Sequence, residues 1–435
     1  MKTFIKYNEL SSKRIYRAVG NGLLASLLTV LVSLTLARTL TFHNFGEFAS
    51  AKSILTILGL ICSLGLGSQV ITIYRGASRD YMIESEARAI NHYGPKIILI
   101  ASTLGSLVVI LSHIILFKGE GPVDLISFVI IVSLGPVYSL IRFYMRSATA
   151  HGSSLTANLI TGWGADILFL VIISIVSLYG SSHIGVVLMA NIYVLTSVVI
   201  LACCLILVKN VEPPYLHKGT EVLKIKQWLK VGLMFTLTPI TLTVLENAGI
   251  IVMTFIHTDI ASTSLLAAAA SIGIMIFPIA MNLRSLFTPV LVEAINKKNK
   301  NEILFICSLW YKSILLFLIP ATILLAYLTP YILKLYGIEF SDAFWTTIVY
   351  LICYFFGGLN LLLLPLNQYL GYQLQTAMIM AISCLLGVTA MVFLGYIWND
   401  LGIAIATTIS INTGLIVTGI FAIKNIEKWR YNLEF

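Results

Sequence analysis

KNVEPPYLHKGTEVLKIKQWLK, residues 209–230, is the longest polar interval between apolar runs in this 435-residue chain, and it falls at the midpoint. It carries five lysines and the pair Pro213-Pro214. Proline lacks the N–H that a helix interior needs, and it disfavours helix in the residue before it, so the pair stops any helix arriving from the N-terminal side. The interval therefore reads as a linker. Before it lie six apolar runs, roughly 20–40, 47–73, 95–117, 123–146, 156–179 and 184–208. After it lie six more, roughly 230–256, 262–290, 303–329, 341–369, 374–397 and 401–423. A helix crosses the bilayer with about 20 apolar residues. The runs are continuous rather than alternating, which indicates helices and not barrel strands. The expected fold class is an all-α integral membrane protein with twelve transmembrane helices in two six-helix lobes, 1–208 and 230–435, joined by a cytoplasmic linker at 209–229.

Composition agrees. Apolar residues make up 58% of the chain and charged residues only 11%, against about 25% charged in an ordinary soluble domain. Soluble enzymes, nucleic-acid binders and disordered scaffolds are excluded on that ground. The six cysteines all sit inside apolar runs without zinc-site spacing, so they read as small hydrophobes. Met1–Arg17 is polar and basic, and the run after it lacks a small-x-small cleavage site, so it reads as the first span rather than a removable signal.

The net charge is +9, and its placement matters more than its size. With the N-terminus in the cytoplasm, 23 of the 28 Lys and Arg residues fall in cytoplasmic segments or helix ends. Arg38, Lys52, Lys118 and Lys334 fall toward the opposite side, and Lys312 lies within span nine. That bias predicts a multi-pass inner-membrane protein with both termini cytoplasmic. Trp345 and Trp398 near one face, and Trp228 and Trp429 near the other, suit interfacial belts.

Internal similarity supports a duplication. Phe45 to Ala51 matches Thr263 to Ala269 at an offset of 218. His151-Gly152 and Thr156–Ile160 match Leu370-Gly371 and Gln375–Ile379 at 219, and Ile184–Val187 matches Leu401–Ala404 at 217. Halves with an even number of spans share one orientation, as in transporters built from parallel repeats.

No P-loop, H-E-x-x-H, G-x-S-x-G or Cys/His cluster occurs, so no enzyme activity is expected. Ionisable residues inside spans are the default functional candidates, because a charge at the bilayer centre costs at least about 2.5 kcal/mol. Asp166 lies deep in span five, and Glu246 with Asn247 lies deep in span seven. Each reads either as a proton, cation or substrate contact or as a carboxyl bonded to a neighbouring helix. Coupling to protons or sodium stays open, and no cofactor is expected. Lys312 can reach the cytoplasmic side by its length or neutralise one of those acids. Arg142 and Arg146 in span four, Arg284 in span eight, and Arg38 and Lys52 toward the opposite ends each fit an interfacial anchor. Together they fit a cleft that attracts a diphosphate, which Arg can grip with two parallel bonds. Pro136, Pro239, Pro278, Pro289, Pro320 and Pro365 fall within spans and predict kinks.

The segment Ala37-Arg38-Thr39-Leu40-Thr41-Phe42-His43-Asn44-Phe45-Gly46-Glu47-Phe48 resembles the signature after the first span of O-antigen and polysaccharide repeat-unit flippases. Phe277-Pro278, Thr288-Pro289-Val290 and Asn299–Glu302 resemble that family's eighth span and following loop, and Leu401–Thr407 resembles its twelfth-span opening. The chain departs from the pattern at His43-Asn44, where Gly-Pro is usual, and at Thr258-Asp259, which lacks the usual Gly. The resemblance implies a fold like that of multidrug and toxin extrusion proteins. It implies movement of an undecaprenyl-diphosphate-linked oligosaccharide from the cytoplasmic to the periplasmic leaflet, with Arg142, Arg284 and Arg38 as carried-over cations. Membrane lipid, a polysaccharide polymerase and a chain-length regulator are the implied partners, without nucleic acid. A drug/cation antiporter on the same fold and a non-transporting assembly component are the alternatives, and the two lobes would rock about the Pro213-Pro214 linker.

Overall fold

The computed structural model describes residues 12–77, 81–117, 121–151, 153, 156–157, 159–179, 185–216, 219–256 and 260–429. Lys118 and the Thr258-Asp259 loop lie outside the described residues. The described chain is helical throughout: α1 (Ser12–Thr39), α2 (Phe42–Cys62), α3 (Leu66–Ala77), α4 (Tyr81–Phe117), α5 (Leu125–Val132) and α6 (Gly135–Ala150). A π-helical turn, Leu159–Gly164, leads into α7 (Ala165–Tyr179), and α8 (Val186–Val211) precedes the linker. Beyond it come α9 (Ile225–Ile256), α10 (Ile260–Gly273), α11 (Phe277–Asn296), α12 (Lys300–Tyr336), α13 (Phe344–Asn360), α14 (Leu363–Tyr369) and α15 (Gln373–Trp429).

Eleven stretches among the described residues are long and apolar enough to cross a membrane. The last of them is two helices. Trp398 and Asn399 leave helical geometry, Asn399 at φ 52°. A Cβ on Gly402 would collide with the carbonyl of Leu394, so only glycine lets the chain return this tightly. Twelve spans result, with the last pair parted where the sequence reading places the gap.

Four spans are broken rather than straight. The expected run 47–73 is two helices, α2 and α3, separated by Ser63-Leu64-Gly65, with Leu64 at φ 51° and Gly65 at φ 69°. A Cβ on Gly65 would fall on the Gly232 carbonyl of α9, so the break lets two backbones meet. Span four breaks between α5 and α6, and Pro136 stands in the first turn of α6, where its missing N–H is no loss. Span eight passes through a 3₁₀ turn, Ile274–Ile276, and Pro278 opens α11 in the same way. Span ten breaks at Leu361-Leu362, before α14 and its Pro365. The second and fourth spans of each half are the broken ones, as a duplicated ancestor would leave them.

The chain gathers into two compact units, a middle unit, Thr35–Ser264, and a flanking unit, Met1–Leu34 with Leu265–Phe435. This grouping cuts the chain elsewhere than at the linker. In the flanking unit Gly22 of α1 lies against the backbone of Ile279, and Ser26 Oγ donates to the Met275 carbonyl. Trp310 of α12 is buried and donates from Nε1 to the Leu359 carbonyl at 2.8 Å.

In the middle unit, Thr41 caps α2 by accepting from the Asn44 N–H at 3.3 Å. Gly46 faces α10, where a Cβ would meet Ser264 Oγ at 2.5 Å and the Ile260 carbonyl at 3.0 Å. The Phe-Gly pair of the opening motif thus answers a helix-packing demand.

The linker is strapped to α4. That helix has 37 residues, about 55 Å at 1.5 Å per residue, which exceeds the ~30 Å hydrocarbon core. Its first turns hold the linker. Buried Arg88 donates from Nε to the Thr220 carbonyl at 2.9 Å and from Nη1 to the Tyr215 carbonyl at 3.1 Å. Glu86 accepts from Trp228 Nε1 and from Lys224 Nζ, both at 2.7 Å. The Val222 N–H donates to the Ser85 carbonyl at 3.2 Å, and His92 meets Glu221 at 3.2 Å. Two expectations are corrected here. Trp228 is a buried strap residue, 1% exposed, and not an interfacial anchor. The linker is not a free pivot either, since these bonds fasten it to the middle unit. Trp345 and Trp398, 68% and 55% exposed, do suit a belt.

Candidate functional site

Four spans of the middle unit bring ionisable and aromatic side chains together. Tyr138, Arg142 and Arg146 recur every fourth residue on α6, which places them on one helical stripe. Lys52 lies midway along α2, ten residues from Phe42, about 15 Å into the span. It was expected nearer a helix end. Its half-buried position follows from where Thr41 starts the helix. Asp166 stands in the first turn of α7, directly after the π-turn. Such turns re-aim the side chains that follow them and recur at functional sites. Tyr193 projects from α8.

Tyr193 is the hub. Its ring packs edge-on against Phe48 and Phe169, both at 5.7 Å between centroids. Lys52 Nζ lies over the same ring, 5.9 Å from its centroid. The charges of Asp166 and Arg142, and the phenol of Tyr138, act on the Tyr193 hydroxyl. Lys52 is the cation acting on Asp166. Arg142 rests over Tyr138 at 5.4 Å and acts in turn on Arg146. An aromatic face lowers the energy of a cation that lacks a full carboxylate partner, by about 0.5–2 kcal/mol. Arg146 keeps an exposed side chain.

Two arginines one turn apart repel each other. Helix α6 bears that cost in a span where every charge is already expensive. With the cations and the carboxylate ionised, the three cations, one carboxylate and two tyrosines of these four spans carry a net positive charge. Tyr138, Tyr193 and Phe169 were not singled out in the sequence, and Phe48 entered only as the end of the opening motif. The spacing of Tyr138, Arg142 and Arg146 is visible there, whereas the meeting of Tyr193 with Lys52 is not.

The other candidates stand elsewhere. Glu246 is half-buried on α9, and Asn247 is turned onto its own helix, with Nδ2 donating to the Thr243 carbonyl at 2.9 Å. Arg38 is exposed in the last turn of α1, where a cation complements the helix dipole. Arg284, half-buried on α11, and Lys312, exposed on α12, belong to the flanking unit. No group of three or more His, Cys, Asp or Glu that could hold a metal ion occurs among the described residues.

No known family profile matches the chain, and no curated protein matches it. Solved structures do. A multidrug resistance MATE family transporter of the MOP superfamily in an inward-facing conformation is similar at TM-score 0.72 and 13% identity, covering 93% of this chain and 96% of that one. The outward-facing conformation of such a transporter is similar at TM-score 0.64 and 14% identity, covering 96% of each chain. A MOP superfamily transporter from Pyrococcus furiosus, described as having a binding pocket of reverse polarity that suggests a different function, is similar at TM-score 0.59 and 14% identity, covering 97% of this chain and 99% of that one. At these identities the likeness establishes the fold, which is MATE-like.

Proposed function

We propose that this protein is a flippase of the bacterial inner membrane that moves an undecaprenyl-diphosphate-linked oligosaccharide to the periplasmic leaflet by alternating access. The observation that carries the reading is the cluster of Lys52, Arg142 and Arg146 around Tyr138 and Tyr193. A diphosphate needs cations inside the protein, while a polyprenyl tail needs only lipid. Arg284 and Arg38 join the set through the resemblance described above. The repeats 1–208 and 230–435 serve as the two working halves, with 209–229 as their connection. The polysaccharide polymerase and chain-length regulator are the downstream partners.

Solved structures of the same fold in inward- and outward-facing conformations support alternating access as the mode of action. The half-buried carboxyl of Glu246 within α9 favours the second reading, a drug/cation antiporter, because an acid attracts a cationic drug. Deleting the gene separates the two. Loss of surface polysaccharide, with lipid-linked units retained on the cytoplasmic leaflet, supports the flippase. Intact polysaccharide with raised drug sensitivity supports the antiporter, and normal translocation with failed chain growth indicates an assembly component. Arg284→Ala is expected to reduce export at normal membrane abundance, and unchanged export removes Arg284 from the set.

A further inference from the structure

We propose that the ring of Tyr138 is the seat that holds the Arg142 guanidinium in place for the cargo's phosphates, and that Gly59 of α2 fixes this seat, so that both are positioning residues for headgroup binding. The proposal rests on the reading that Arg142 takes the diphosphate.

Three contacts set the seat. Tyr138 and Arg142 stand one turn apart on α6, and the guanidinium carbon lies over the ring, 5.4 Å from its centroid, inside the roughly 6 Å over which a ring attracts a cation. Gly59 abuts the same ring. A Cβ there would come within 2.7 Å of Tyr138 Cδ1 and 3.4 Å of its Cβ and Cγ, so only glycine leaves the ring where it is. The buried hydroxyl of Ser139 shares its proton between the Gly59 carbonyl at 3.1 Å and the Gly135 carbonyl of its own helix at 2.8 Å, which holds α6 against α2 at this level. A second glycine repeats the arrangement beyond the break in span two. A Cβ on Gly67 of α3 would meet Arg146 Cγ at 3.1 Å. Gly59 and Gly67 have the same spacing in the chain as Tyr138 and Arg146, so the glycines of span two match the stripe on α6.

A ring suits this task better than a carboxylate. Both attract a guanidinium, but a carboxylate neutralises it and takes the N–H donors that would grip a phosphate. The ring attracts through its π-face and leaves those donors open. No carboxylate forms an ion pair with Arg142 among the described residues. Ordering a long side chain on binding weakens affinity, and a seat on the same helix imposes that order before the headgroup arrives. Lys52 over Tyr193, a ring braced by Phe48 and Phe169, uses the same device.

The full-length protein in detergent, titrated with undecaprenyl-diphosphate-N-acetylglucosamine labelled in its sugar, tests this. Tyr138→Phe is the reference, and the same variant carrying one, two or three ring fluorines keeps the ring's shape while draining charge from its π-face. Kd is expected to rise stepwise, to about fivefold at three fluorines, with the melting temperature of the unliganded protein unchanged. In an Arg142→Gln background the fluorines are expected to leave Kd alone, because the cation they act through is gone. Gly59→Ala, which displaces the ring, is expected to raise Kd by a similar factor, again only while Arg142 is present.

A Kd that ignores the fluorines, or a fluorine effect equally large in the Arg142→Gln background, overturns the seat while leaving the cargo reading in place. Absence of saturable binding by the wild type overturns the cargo reading itself, and the role of the seat with it. Should Gly59→Ala fail to accumulate, the fluorine series decides alone.

Discussion

At the scale of single residues, Arg142 and Arg146 differ from surface cations in having tyrosine and each other as neighbours. Arg142→Ala and Arg146→Ala are each expected to abolish most export of surface polysaccharide without lowering membrane abundance. Lysine at either place should rescue only in part, because an ammonium offers a point charge and not two parallel donors. Quantifying polysaccharide beside a membrane immunoblot checks both statements. Gly65 makes a different prediction. With φ 69° and the Gly232 carbonyl where a Cβ would go, Gly65→Ala should destabilise the protein by at least about 2 kcal/mol. The check is a marked fall in the detergent melting temperature, while Gly20→Ala, at a position with nothing within 4 Å, serves as the control.

At the scale of elements, the sequence was most legible where hydropathy and proline decide. Continuous apolar runs gave the spans, whereas Pro136 and Pro278, expected as kinks within spans, stand at two of the breaks and open helices there. The break at Ser63-Leu64-Gly65 was not legible, because Leu64 is an ordinary apolar residue whose left-handed backbone is imposed by the approach of α9. The strap was hidden for a related reason. Glu86 and Arg88 look like any charges at a helix end until Trp228 and the Thr220 and Tyr215 carbonyls fold over them. Glu86→Gln keeps the size but loses the charged acceptor of two bonds, worth about 1.5–3 kcal/mol for a charged hydrogen bond. Trypsin should then cut after Lys224 faster than in the wild type in membranes with the linker side exposed. Equal cleavage would mean that the strap does not hold the segment in solution.

At the scale of the whole molecule, the twelve spans and the MATE-like fold agree with the reading of the chain as a multi-pass membrane protein. Of the candidate site, the sequence supplied the charged residues but not their grouping. Lys52 and Tyr193 are far apart in the chain and meet only because α2 and α8 pack together, with Phe48 and Phe169 against the same ring. Charge placement makes its own prediction at this scale. A reporter that is active only in the cytoplasm should be active when fused after Phe435 or inserted at Gly219, and inactive when inserted in the segment between α5 and α4. The reverse pattern would invert the orientation proposed from the cation bias.

The cations resting on the tyrosine rings have one more consequence. Ions in bulk water blunt a field over about 8 Å at physiological salt, yet they do so poorly where protein stands between them and the charge. Headgroup capture by Lys52 and Arg142, both half-buried, should therefore vary little between dilute buffer and half-molar potassium chloride. A protein that merely gathered anionic lipid at its rim would lose its hold over the same range.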